Sequence, residues 1–215
     1  MLKELNDING ASTHTRAIVE LCLKKFKGIL CGAEMGVAYG GGIQNIGTIW
    51  KGRGFIYGFD TFETHPIELA TICPHTIEAG GVNSFAAHCM EHWYNDKINY
   101  GTEHCKYDYI KNELDKQRLF NTYLIKGLIT ENTNIDFIPE LHYVLIDMDF
   151  PIAQWNGYNL VKNKIVRGGY LCLHDMIPKG HIHGCHERYQ QILKENMFKI
   201  ILEDIPSYLV ILEKL

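Results

Sequence analysis

Five short apolar runs constrain this chain more than any other feature: Gly28-Ile-Leu-Cys31, Phe55 to Phe59, Thr122 to Ile125, His142 to Ile146 and Tyr170 to Leu173, each followed by glycine or a polar residue. A strand with one wet face alternates polar with apolar residues, whereas a strand covered on both faces is apolar throughout. These runs are of the second kind. Helical periodicity lies around them. Thr15 to Phe26 sets Ile18, Val19, Leu21, Cys22, Leu23 and Phe26 at mainly helical spacing, with Ser12 or Thr13 as cap, and Tyr107 to Leu119 and Cys185 to Phe198 read as further helices. Strands buried on both faces and separated by helical segments predict a doubly wound α/β fold with a mostly parallel sheet. Ligands then sit at the carboxyl ends of the strands.

The carboxyl-terminal end departs from that pattern. Lys199 to Glu203 and Tyr208 to Glu213 are β-rich, and only Asp204-Ile-Pro-Ser207 joins them. A parallel crossover needs a dozen residues or more, so this pair is expected to be an antiparallel hairpin. No repeat or proline-rich linker divides the 215 residues, which predicts one domain over 1–215. It carries an N-terminal helical segment at 1–27 and an irregular, lid-like insertion at about 61–106.

Composition narrows the partners. The chain is 46% hydrophobic and 21% charged, in the globular range, and its net charge of -4 supplies no basic field for nucleic acid. No stretch approaches the roughly 20 apolar residues of a membrane span. Lys3, Glu4 and Asp7 interrupt the opening where a secretory leader would be apolar. The seven cysteines are scattered and never spaced as CxxC, which fits reduced thiols and a cytoplasmic setting. Small molecules are the expected partners.

Chemistry concentrates at the strand ends. The first run leads into Gly32-Ala-Glu34-Met-Gly36-Val-Ala-Tyr39-Gly40-Gly41-Gly42, a turn whose glycines allow close approach of a cofactor and whose carboxylate can hold a cationic amino group or a hydroxyl. The second run ends in Asp60, close to the spacing of about 20 residues at which an acid grips ribose hydroxyls in Rossmann-type sites. The fourth ends in Asp147-Met148-Asp149, whose carboxylates share a face if the segment stays extended. The fifth ends in His174-Asp175. Neighbouring strand ends lie about 5 Å apart, so Asp147 and Asp175 could share one cation, Mg²⁺, Ca²⁺ or Mn²⁺, with His174 tilting the preference toward Mn²⁺ or a later metal.

These pieces, together with Gly58-Phe-Asp-Thr-Phe62, Lys126-Gly127, Gly168-Gly-Tyr170 and Gly184-Cys185, occur in an order that resembles the macrocin O-methyltransferase-like (TylF-type) family. The resemblance runs from about Leu30 to Gln190. It implies a Rossmann-like class I methyltransferase fold, with a seven-stranded sheet ending in the antiparallel hairpin, and Mg²⁺-dependent methylation of sugar hydroxyls by S-adenosylmethionine. Carried over, Glu34 and Gly36 line the methionine end of the donor, Asp60 binds its ribose, and Lys126-Gly127 lies near the adenine. Tyr39, Gly40, Thr61, Asp147 and Met148 fall in further cofactor-binding positions. Asp147, His174 and Asp175 occupy the metal-ligand positions, and Asp149 falls where some relatives place a catalytic base. Where relatives show two adjacent acids, this chain has His174-Asp175. The implied acceptor is a sugar or glycosylated metabolite, with no nucleic acid or membrane partner, and a homo-oligomer is compatible with the family.

Other signals stay open beside it. His88-Cys-Met-Glu91-His92 matches the H-x-x-E-H pattern of one peptidase class, and His181-Ile-His183-Gly-Cys185-His186 is rich in metal-binding side chains. Trp93, Tyr94, Tyr100, Tyr107 and Tyr109 suit either anchoring of the insertion or stacking on a sugar ring. A nicotinamide-dependent oxidoreductase and a non-catalytic nucleotide-binding protein are the alternative functions; the oxidoreductase requires neither the terminal hairpin nor the Asp147/Asp175 pair.

Overall fold

The computed structural model describes residues 13–63, 106–176 and 184–215. In chain order its elements are α1 (Thr13–Lys25), β1 (Leu30–Met35), α2 (Gly41–Ile49), β2 (Gly54–Asp60), α3 (Tyr107–Lys116), β3 (Thr122–Lys126), β4 (Leu141–Ile146), α4 (Pro151–Val161), β5 (Ile165–His174), α5 (Cys185–Lys194), β6 (Phe198–Asp204) and β7 (Leu209–Lys214). The strands form one seven-stranded sheet in the order β3-β2-β1-β4-β5-β7-β6. β1 to β5 run parallel; β7 pairs antiparallel with both β5 and β6.

The apolar runs are explained by what covers each face. On β4, Tyr143 and Leu145 face the layer of α1, α2 and α3, packing in the cluster of Val19, Ile43, Trp50, Ile110 and Leu114. Val144 and Ile146 face the other way, with Tyr158 and Val161 of α4 and Tyr189 and Ile192 of α5. Successive side chains alternate in direction, and both directions are dry. Trp50, fully buried, donates its indole N–H to the Val19 carbonyl at 3.0 Å and so ties α2 to α1.

Several boundaries differ from the sequence reading. β1 spans Leu30–Met35, so Gly32 to Met35, expected in the glycine turn, are buried strand paired on both sides, and the turn begins at Gly36. Three further shifts have local reasons. Helix α5 ends at Lys194 rather than Phe198, because Asn196 takes a left-handed φ of 53° and Phe198 turns into the core as the start of β6. Helix α3 ends at Lys116 rather than Leu119 in a Schellman-type cap: Arg118 is left-handed, its N–H reaches the Asp115 carbonyl, and Leu119 N–H reaches the Leu114 carbonyl. β5 begins at Ile165, five residues ahead of Tyr170 where the apolar run starts. The strand passes through Gly168 on a bulge, and Lys25 Nζ donates to the Gly168 carbonyl at 2.7 Å. Between β3 and β4 the alternation fails: residues 127–140 form turns instead of a helix, and Ile129, Ile135 and Ile138 fill that side of the core.

The expected hairpin is present, its two strands joined by the 3₁₀ turn Ile205–Ser207. Asp175 N–H donates to the Tyr208 carbonyl at 2.9 Å, which fastens that turn to the carboxyl end of β5. Ser12, most of the 61–106 insertion and the histidine pairs His88/His92 and His181/His183 lie outside the described residues. Among the described residues, no helix is long and apolar enough to cross a membrane.

Candidate active site

The carboxyl ends of β1, β2, β4 and β5 share an unusual backbone. Ala38, Phe62, Asp149 and Asp175, none of them glycine, have φ of 47°, 52°, 59° and 59°. Such left-handed residues cost roughly 1–3 kcal/mol each where side chains are strained, and they collect at functional sites. Four successive strand exits carrying one each mark this edge as the working edge of the sheet.

The glycine turn is built against its neighbours. Gly36 leaves β1 at φ 92°, and a β-carbon there would overlap the Asp147 carbonyl oxygen, while Asp147 N–H donates to the Met35 carbonyl at 2.8 Å. The turn then enters α2, where a β-carbon on Gly42 would overlap the Glu34 carboxyl. Glu34 is therefore packed beneath the first turn of α2, 3% exposed, with Oε2 lacking a partner. Burial, followed by Asp147 and Asp60, raises its carboxyl well above the usual range. Asn45 Oδ1 is also buried and unpartnered on this face.

Asp60 organises three strand exits. Its Oδ2 accepts the N–H groups of Val37 at 2.8 Å and Ala38 at 3.0 Å, and its Oδ1 accepts that of Phe62 at 2.8 Å. Its carbonyl accepts Gly127 N–H at 2.9 Å. Thr61 Oγ1 is a longer 3.4 Å from Oδ1. Lys126 pairs with Glu63 at 2.8 Å. Tyr39 is half-buried, and Gly40 is the left-handed N-cap of α2.

Across the crevice, Asp147, His174 and Asp175 form one cluster whose ligand atoms all lie within 4.8 Å of one another. His174 Nδ1 stands 3.1 Å from Asp147 Oδ1 and 3.0 Å from Asp175 Oδ2. Burial pulls the His174 imidazolium down, but Asp147 and then Asp175 outweigh it and lift the ring to about 11. Ligands of a single Mg²⁺ or Ca²⁺ at about 2.1–2.5 Å lie at most about 4–5 Å apart, so the spacing of this donor set fits a divalent cation, which would have to displace the Nδ1 proton for His174 to act as a ligand.

Asp149 is placed differently. β4 ends at Ile146 and Asp149 is left-handed, so strand alternation does not extend to it, and Asp149 is not part of the three-residue cluster. Met148 packs against Gly157 of α4, beside Phe150 and Ala153. Tyr107 rests edge-on against Phe62, ring centroids 5.3 Å apart, in an anchoring role. Sequence reasoning did not single out Gln154, a polar side chain in α4 that is fully buried and bonded to Cys185. No periodicity marks it, because its partner lies on another helix.

No family model and no curated protein matches the sequence. Solved structures do share the fold. The O-methyltransferase NovP matches with a TM-score of 0.69 at 14% identity, over 99% of this chain and 78% of its own. CalS11, a calicheamicin methyltransferase, matches at 0.64 and 12%, over 99% and 89%; its apo structure, of a TDP-rhamnose 3'-O-methyltransferase, matches at 0.52 over 93% and 77%. An rRNA methylase from Streptococcus thermophilus matches at 0.57 and 14%, over 97% and 98%. The chain thus has the Rossmann-like fold of the class I S-adenosylmethionine-dependent methyltransferases, parallel strands and terminal antiparallel hairpin included.

Proposed function

We propose that the protein is an S-adenosylmethionine-dependent O-methyltransferase, assisted by a divalent cation, that acts on a hydroxyl of a sugar or sugar-containing small molecule. The observation that carries this reading is the meeting of Asp147, His174 and Asp175 at the ends of β4 and β5, across the β1 exit from Asp60, in a fold shared with NovP and CalS11. The net charge of -4 favours a small acceptor over RNA, although an rRNA methylase shares the fold.

The residues present suit the donor. Asp60 can take a ribose hydroxyl on Oδ1 in place of the long Thr61 contact while its shorter bonds keep the glycine turn in shape. The amides opening α2 offer donors to a carboxylate. S-adenosylmethionine supplies an electrophilic methyl group, so the protein's task is to prepare and align an alcohol oxygen. Asp147, His174 and Asp175 would hold a cation, which lowers the pKa of an alcohol bound beside it. Asp149 takes the hydroxyl proton. The rigid strand ends hold oxygen, methyl and sulfur in line, which turns an encounter into a positioned displacement.

Calorimetry with S-adenosylmethionine, S-adenosylhomocysteine and NAD, followed by labelled methyl transfer to free sugars, nucleoside diphosphate sugars and glycosylated metabolites, tests the reading. Binding of the first two ligands and transfer that fails in Asp147→Asn are expected. Binding of NAD alone would replace the reading with an oxidoreductase, and transfer undiminished by EDTA would remove the cation.

A further inference from the structure

Asp149 sits between β4 and α4 at a positive φ of 59°, at the centre of a γ-turn closed by Phe150 N–H on the Met148 carbonyl, a strained conformation that persists only where its surroundings over-determine it. The surroundings are specific. Cys185 Sγ, at the first residue of α5, donates to the Asp149 carbonyl at 3.3 Å, and Gln154 Nε2, in the first turn of α4, donates to the same sulfur at 3.7 Å. Both side chains are fully buried. Around the turn, Phe150 N–H reaches the Met148 carbonyl at 2.6 Å and Gln154 N–H reaches the Phe150 carbonyl at 2.9 Å.

The Cys185 thiol donates to the Asp149 carbonyl and accepts an N–H from Gln154. Gln154 Oε1 is left buried with no partner. In this arrangement α4 and α5 both hold the Asp149 turn.

We propose that Cys185 and Gln154 are positioning residues that lock Asp149 in its γ-turn and so fix where its carboxylate stands relative to the Asp147, His174 and Asp175 cluster. The inference rests on the reading of Asp149 as the proton acceptor. It gives the two helices one shared task at the site.

Carbon chemical shifts of Asp149 in labelled wild type, Cys185→Ala, Cys185→Ser and Gln154→Leu report its backbone directly and require no acceptor. The Cα and Cβ signals shift from their wild-type positions or broaden in Cys185→Ala, return in Cys185→Ser, and move in Gln154→Leu, while S-adenosylhomocysteine binding is unchanged. A folded Cys185→Ala with the Asp149 signals unmoved overturns the lock; if Cys185→Ala does not fold, an unmoved Asp149 in Gln154→Leu overturns it. Methyl transfer to the sugar panel falls about tenfold or more in Cys185→Ala and no further in the Asp149→Asn background. An equal loss in both backgrounds also overturns it. Full transfer by Asp149→Asn would instead sink the proton-acceptor reading and leave the carbon-shift result standing.

Discussion

The Asp147 carbonyl oxygen occupies the space where Gly36 would carry a side chain, so the turn leaving β1 and the first carboxylate after β4 are in direct backbone contact. The donor side and the cation side of the crevice therefore share one packing constraint. Gly36→Ala adds a β-carbon into that oxygen at a left-handed φ of 92°. The dihedral alone costs about 1–3 kcal/mol, and the overlap pushes β1 and β4 apart. A fall in melting temperature of about 5 °C or more is expected, with loss of S-adenosylhomocysteine binding in calorimetry. Unchanged melting and affinity would contradict the contact.

Asp60 is a structural clamp as well as the proposed ribose ligand. Asp60→Ala leaves the amides of Val37, Ala38 and Phe62 without their acceptor, and hydrogen bonds to a charged group are worth about 1.5–3 kcal/mol each at most. Asp60→Asn keeps one acceptor oxygen. Thermal unfolding should rank wild type above Asn above Ala, while both variants bind S-adenosylhomocysteine more weakly. Equal melting of all three would show that the turn holds itself.

Glu34 makes stability depend on pH. Its carboxyl is raised well above 4.5, by burial first and then by Asp147 and Asp60, so above that pH the folded state binds the proton that the unfolded state has lost. Stability from this group is full below about pH 4.5 and declines as pH rises toward the folded value. Glu34→Gln removes the titration. It should melt higher than wild type at pH 8, by about 2–4 °C per kcal/mol, and the gap should close near pH 4. A gap that is constant with pH would assign the cost to something other than charge.

The cluster of Asp147, His174 and Asp175 offers two carboxylates and one imidazole. A nitrogen donor favours Mn²⁺ and later metals over Mg²⁺. Mn²⁺ binding followed by electron paramagnetic resonance should disappear in Asp147→Asn. In His174→Asp, competition should shift toward Mg²⁺. A shift further toward Mn²⁺ in His174→Asp would mean that the ring is not a ligand.

Much of this was legible from residue pattern because the relevant physics is local or periodic. Tyr143 to Ile146 had to be apolar on both sides to be covered on both faces, and Asp204 to Ser207 is too short for anything but a hairpin. The strand ends nominated Asp60, Asp147, His174 and Asp175 for the same reason: polarity follows burial at the edge of a sheet. Bulges and helix ends were less legible. The apolar run starts only at Tyr170, yet β5 begins at Ile165 and passes through Gly168, whose carbonyl is bonded by Lys25, far away in sequence. Asn196 and Arg118 stop helices whose apolar spacing continues past them.

Composition and spacing thus sufficed for the layered α/β architecture and for the positions of Asp60, Asp147 and Asp175 at strand ends, since hydrophobic burial is roughly additive along a chain and visible in its periodicity. Three-dimensional packing was needed to place the Glu34 carboxyl beneath α2, to turn Asp149 away from strand alternation, and to bring Gln154 and Cys185 to its carbonyl. Those outcomes depend on contacts between segments distant in sequence, where a single hydrogen bond or a missing β-carbon decides, and such contacts leave no period to read.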